Sequence, residues 1–167
     1  MTGLTLRGIA LMGATITMGL AAGVFALYAH TIMPALKTTD DRTFVGTFQM
    51  LDRHIINPWF MVGAFLGALL FTATAVATNV HHAALPWVTA ALILYLVAFV
   101  VTIAVNVPLN DALKAAGDPN HISNLAHVRA QFNEARWAAW NLVRTVTSIS
   151  AFACLAWALV LYGRASP

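Results

Sequence analysis

The sequence predicts an all-α integral membrane protein, a four-transmembrane-helix bundle with interfacial amphipathic helices in its two long connections. Two observations carry this expectation. The chain of 167 residues is 60% hydrophobic and only 9% charged, whereas soluble domains carry about 25% charged residues. A globule of this size has too little interior to hide so many apolar side chains. Uncharged runs over 9–29, 58–78, 86–105 and 145–162 each match the roughly 20 residues needed to cross about 30 Å of hydrocarbon. Lipid offers the backbone no partners, so such runs must satisfy their own N–H and C=O groups as helices. The length suits one domain, 1–167.

The elements follow in order. Arg7 precedes the first run, which is longer than the apolar core of a signal peptide and is read as a span, 8–33. Asn57-Pro58, an N-cap residue followed by the proline favoured at a first helical position, opens the second span, 58–79. Asn79 closes it. Leu85-Pro86 opens the third, 86–106. Val107-Pro108 is expected to end or kink that helix, because the residue before a proline avoids the α region. The fourth span, 137–162, is expected to stop at Gly163.

The connections are unequal. Residues 79–85 form a tight turn, whereas 34–57 and 106–136 are long and emerge together at the opposite end. Within the first long connection, 40–56 reads as an amphipathic helix. Phe44, Phe48, Leu51 and Ile55 recur at helical spacing, and Asp40 and Asp41 fall in the first turn, where the helix dipole favours acids. Asp118-Pro119 is expected to open a second interfacial helix, 119–134, with Ile122, Leu125 and Phe132 as its apolar positions. Such helices lie in the interface and cap a bundle. Gly19-x3-Gly23 and Gly63-x3-Gly67 are small-residue pairs that permit close helix packing or a dimer contact.

Composition also narrows function. Cys154 is the single cysteine, so no disulfide framework or thiolate cluster is available. The net charge of +3, without a basic stripe, argues against a nucleic-acid partner. The six acidic residues all lie in the long connections, as do His54, His121 and His127, with His30 at the same end.

On the fourth helix Trp137, Asn141, Arg144 and Ser148 share one face, and Trp140 borders it. A guanidinium inside an apolar run is costly. It either snorkels to the headgroups or turns into the bundle to meet an acid. Asp52 falls on the apolar face of the 40–56 helix, where an unpaired carboxylate is costly. It is the first choice of partner for Arg144, with Asp111 second. His54 points away from that face. His30 shares a face with Gly19, Gly23 and Ala26 and reads either as a capping residue or as a general base. Asn106 and Asn110 flank Pro108, and irregular backbone at membrane depth is tolerated where it lines a cavity. A cavity lined by His30, Asn106, Asn141 and Arg144 is therefore expected at the long-connection end.

The segments HTIMPAL, MLDRHIINPWF, NVPLNDAL and WAAWNLVRT together resemble the successive signature blocks of the anthrone oxygenase-like membrane family. The resemblance spans residues 8–162, and the N-V-P-L-N and W-N-x-x-R blocks are its most specific parts. It implies a small four-helix membrane fold, often found in bacterial proteins and so in a bacterial cytoplasmic membrane. It also implies a monooxygenase-type oxidation of an activated methylene to a quinone by dioxygen, on an anthrone- or phenol-like lipophilic substrate. Such a reaction needs no metal or flavin, because the deprotonated substrate itself reduces dioxygen. The protein would supply a base, donors for the enolate oxygen and a dry pocket.

By the resemblance Asn106, Asn110, Asn141 and Arg144 match the blocks and would line that pocket. Orientation adds His30 and Asp52 to Arg144 as candidate catalytic groups, and Trp137 and Trp140 to the asparagines as substrate-binding groups. One fold hosts many functions, so two other classes stay open. One is a haem- or metal-binding module using His30 with His54, His121 or His127. The other is a non-catalytic assembly or lipid-binding protein. A homo-oligomer also stays open. Lys37, Arg42, Arg53, Lys114, Arg129 and Arg136 on the long-connection side, against Arg7 and Arg164 on the other, would put the long connections in the cytoplasm.

Overall fold

The computed structural model describes residues 6–165, so the outermost residues of the expected 1–167 domain lie outside the described residues. Helix α1 runs Leu6–Lys37 and α2 Asp41–Ile55. Helix α3 runs Trp59–Thr78 and α4 Leu85–Ala115. Leu125–Phe132 forms a short α5, and Glu134–Arg164 the long α6. Among the described residues every regular element is helical. Helices α1, α3, α4 and α6 supply the four stretches long and apolar enough to cross a membrane.

These four pack as an up-and-down ring in which α1 lies between α3 and α6, and α6 lies between α1 and α4. Alanines make the seams. Ala14 and Ala21, Ala64 and Ala68, Ala91 and Ala98, and Ala151 and Ala158 are all fully buried. In lipid, where apolar side chains gain little by leaving their solvent, small residues let helices approach closely enough to profit from van der Waals contact. The expected glycine pairs do less of this. An added Cβ would meet nothing at Gly23 or Gly63, and at Gly19 it would touch Phe152. Gly67 does mark a close approach to α1, since a Cβ there would sit 3.2 Å from Thr17 Cγ2. Large side chains such as Leu70, Ile93, Val100 and Val146 face outward, as lipid allows.

Three stretches depart from α geometry. Tyr28–Ile32, Trp59–Leu66 and Thr102–Asn106 are π-helical. Two of these immediately precede a proline-containing turn, at Pro34 and Pro108. A proline ring collides with the carbonyl four residues back, which is His30 for Pro34 and Ala104 for Pro108. A widened π turn moves that carbonyl aside, so the helix passes through the proline. This corrects two expected boundaries. The first span continues beyond residue 33 to Lys37, and Val107-Pro108 does not end the third, which continues to Ala115. The fourth likewise passes Gly163 and ends at Arg164.

The cap over the bundle mouth is built by α2, α5 and the extended ends of α1 and α4. Asp40 is the N-cap of α2, accepting from the Thr43 N–H at 3.0 Å and from its hydroxyl at 2.6 Å. These bonds hold its carboxyl below the usual carboxylate range. The second interfacial helix is shorter than expected. Asp118 accepts from the Asn120 N–H at 2.9 Å, which makes a turn at Asp118-Pro119 instead of a helix start. Asn124 caps α5 by accepting from the His127 N–H at 3.0 Å.

Asn133 then stops α5 in the left-handed region, at φ 53°, and caps α6 through the Arg136 N–H at 3.1 Å. Asparagine tolerates that conformation better than most residues. Under the cap, Phe44, Phe48, Phe132 and Trp137 form an aromatic cluster, with Phe48 and Phe132 centroids 4.6 Å apart. Arg129 fastens its edge, donating to Thr39 O at 2.8 Å and pairing with Asp41 and Glu134.

Candidate functional site

Between the cap and the alanine seams lies a mostly apolar cavity of about 400 Å³. All three π-helical stretches contribute to its wall, through Tyr28, through Phe60, Met61, Phe65 and Leu66, and through Thr102, Ile103 and Asn106. A π turn offsets the side chains that follow it by one residue, and such turns recur at functional sites. Here they decide which side chains point inward.

Arg144 lines the cavity and is only 6% exposed. It donates to Asn141 Oδ1 at 2.7 Å and to Thr102 Oγ1 at 3.3 Å. Its guanidinium carbon lies 4.5 Å from the Phe25 ring centroid and 5.4 Å from that of Trp137. Its Nε is buried without a partner, and so is Asn106 Oδ1 on the same wall. Asn141 stands behind Arg144, with its amide donating to Phe25 O at 3.0 Å. Asn106 is tied to α6 by donating to Trp137 O at 3.2 Å. Trp137, Asn141, Arg144 and Ser148 are all buried.

The expected Arg144–Asp52 ion pair is not formed. Among the described residues Arg144 pairs with no carboxylate. Asp52 is instead taken by Lys114, whose Nζ lies 2.6 Å from Oδ2, and by Asn110, whose amide donates to Oδ1 at 2.6 Å. The reason is the continued α4. Once the helix passes Pro108, Asn110 and Lys114 come round on one face, four residues apart, directly against the buried face of α2. Asp111, the second choice of partner for Arg144, also binds Lys114, at 3.0 Å. Trp137 Nε1 donates to Asn110 Oδ1 at 2.7 Å, which fixes that amide with its NH2 toward Asp52.

Asp52, Asn106, Asn110, Trp137 and Arg144 thus come together on one cavity. Asn141, expected on the wall, is buried behind Arg144 and does not line the cavity, and His30 and Trp140 lie away from it. Both are exposed and neither borders the cavity. His30 binds Thr31 Oγ1 through Nδ1 at 2.6 Å. It follows the outward face of Gly23, while the buried face of α1 runs through Ala21, Ala22 and Phe25 to half-buried Tyr28. His54, His121 and His127 are exposed too, and none of the four lines the cavity. Among the described residues no three His, Cys, Asp or Glu side chains converge as metal ligands would. Sequence reasoning missed Lys114, Thr102, Phe25 and Tyr28. The i, i+4 spacing of Asn110 and Lys114 was the available signal.

The family model for anthrone oxygenase matches residues 44–154. The chain belongs to the anthrone oxygenase family. No curated protein and no solved structure matches it. The family match runs from Phe44 in α2 to Cys154 in α6. It therefore contains Asp52, Asn106, Asn110, Lys114, Trp137, Asn141 and Arg144, whereas His30 precedes it. The polar wall of an anthrone oxygenase family cavity is in this way assembled from α2, α4 and α6, and α1 closes it with aromatic side chains.

Proposed function

We propose that the protein is a membrane-embedded oxygenase that oxidises a lipophilic aromatic substrate, anthrone- or phenol-like, with dioxygen by a cofactor-independent route. The observation that carries this reading is Arg144, a buried guanidinium with no carboxylate partner among the described residues, facing an apolar cavity. A buried charge without a counter-ion is expensive, and a ligand oxyanion would relieve it. The cavity volume of about 400 Å³ falls within the roughly 300–1,000 Å³ of small-molecule sites.

In this reading Asp52, across the cavity, takes a proton from the substrate methylene. The enolate oxygen then lies against Arg144, in surroundings where a preorganised donor is worth far more than in water. The enolate reduces dioxygen, and a carbon–oxygen bond forms at the former methylene. Loss of water from the hydroperoxide leaves the carbonyl, so CH2 and O2 give C=O and H2O. Phe25, Phe60 and Phe65 keep bulk water from the electron-rich intermediate. The family's bacterial members and the basic residues of the cap support a place in a bacterial cytoplasmic membrane with the cap in the cytoplasm.

The test is oxygen uptake and quinone formation from anthrone by protein in lipid nanodiscs, above the spontaneous rate. Faster turnover in the wild type, lost in Arg144→Gln and Asp52→Asn, is expected. A rate equal to empty nanodiscs for anthrone and for a panel of phenols would overturn the reading.

A further inference from the structure

The cavity has a framed opening in its side. Helices α3 and α4 meet below it, where Phe65 stacks on Phe99 with centroids 5.0 Å apart and Tyr95 donates to Phe65 O at 2.8 Å. Above it, Lys114 and Asn110 of α4 hold Asp52 of α2. Between that sill and that lintel, Trp59–Leu66 packs chiefly on α1. Among the described residues no hydrogen bond or ring contact joins 57–64 to 102–110. From Phe99 to Asn110 the gap spans roughly 16 Å of helix rise. Its side rim is aliphatic, since Ile56, Leu66, Ile103 and Val107 all line the cavity and are all exposed on the outer surface, Ile103 by 56%, while the charged Asp111 and Lys114 border it at the cap end. Leu66 and Ile103 belong to helices long and apolar enough to cross a membrane, and the outer surface of such a helix meets acyl chains.

We propose that this is a lateral window through which the substrate is loaded from the bilayer. The proposed substrate is an amphiphile whose phenolic or enolic oxygen reaches Arg144 while an apolar tail leaves between Leu66 and Ile103 into the lipid. The buried guanidinium and the exposed aliphatic rim suit the two ends of such a molecule. The unpaired guanidinium is at the inner end, aromatic walls follow, and four aliphatic side chains flank the exit. The inference rests on the reading of this cavity as the substrate site, and it names the class of substrate. A hydrophilic substrate would instead need a path through the cap, which the aromatic cluster and the Asp52–Lys114 contact obstruct.

The experiment uses full-length protein in nanodiscs and para-dodecylphenol carrying a diazirine at the far end of its chain. Photolabelled positions are mapped by mass spectrometry, with and without excess unlabelled para-dodecylphenol. Competable labelling confined to the rim, at Ile56, Leu66, Ile103, Val107 and their lipid-facing neighbours, is expected. Arg144→Gln should weaken the competable component roughly tenfold to a hundredfold, the equivalent of losing a hydrogen bond to a charged group. Ile103→Trp should narrow the window and reduce rim labelling, while Ile103→Ala and Val146→Trp, the latter on the outer face of α6, should not. Ile103 and Val146 both face outward, so a folding defect is readily distinguished by thermal unfolding.

Labels spread evenly around the four spans, or concentrated at Asp111 and Lys114, would overturn the window. Competition by dodecanoate in preference to the phenol would overturn the phenolic assignment. Rim labelling without oxygen uptake would leave the window standing and remove the oxygenase reading, so the two failures are distinct.

Discussion

Lys114 Nζ lies 2.6 Å from Asp52 Oδ2 and 3.0 Å from Asp111 Oδ1, so one ammonium joins a buried carboxylate to an exposed one. Their burial is unequal: the Asp52 side chain is 7% exposed and that of Asp111 62%. Losing Asp52 leaves Lys114 with a solvated partner. Losing Lys114 strands Asp52 under the cap with Asn110 alone. Lys114→Met should therefore destabilise more than Asp52→Asn. Its cost should be about 2 kcal/mol, between the roughly 0–1 of surface pairs and the roughly 3–5 of fully buried ones. Thermal unfolding in detergent checks the order. Equal small losses would mean that the pair does not fasten α2 over the mouth.

How much of this was legible in the sequence depends on which period governs each residue. The four spans follow from run length, and the buried face of α2 follows from Phe44, Phe48 and Asp52 at α spacing. The inward turn of Trp137, Asn141 and Arg144 follows from the same spacing, because α6 contains no π turn through that stretch. The helical wheel failed where π geometry intervenes. Continuing α4 through Pro108 brought Asn110 and Lys114 onto Asp52, and a sequence in which that helix stops at Val107 cannot place them. His30 departs from expectation for a different reason. Its helical spacing places it with Gly23, whereas the alanines Ala14 and Ala21 make the buried seam of α1.

His30 and Trp140 supply a negative test of the site. Both are exposed and away from the cavity. His30→Ala and Trp140→Leu should leave oxygen uptake with anthrone unchanged and shift stability only slightly, as surface substitutions do. A large loss of turnover in His30→Ala would restore the histidine as the base and displace Asp52.

The Trp137–Asn110 bond should control Asp52 indirectly. Trp137 Nε1 donates to Asn110 Oδ1 at 2.7 Å, and this sets which end of the amide meets the carboxylate. Trp137→Phe keeps most of the aromatic packing and frees the amide to turn. Loss of one net hydrogen bond, about 1 kcal/mol, is expected in unfolding experiments. Turnover should fall further than that loss explains, since a turned Asn110 presents its carbonyl to Asp52. Trp137→Phe with wild-type kinetics would show that Asn110 needs no such positioning.

Arg144 separates stability from function most sharply. In most proteins removing a buried, hydrogen-bonded arginine is severe because an opposing carboxylate is left behind. Here no carboxylate opposes it among the described residues. Substitution leaves only neutral acceptors, Asn141 Oδ1 and Thr102 Oγ1, to find other partners, and it relieves the desolvation of an unpaired cation. Arg144→Gln retains an amide donor for one of those acceptors. The ligand-free variant should therefore unfold within about 1 kcal/mol of the wild type, because these two terms oppose each other at similar size. Turnover should behave quite differently. If the guanidinium holds the enolate oxygen, its loss should lower kcat by about a hundredfold to a thousandfold, as removal of an oxyanion donor does. Stability and oxygen uptake measured on the same nanodisc preparation decide between the alternatives. A variant that loses both together would make Arg144 a structural residue, and a variant that loses neither would leave the cavity without its oxyanion site.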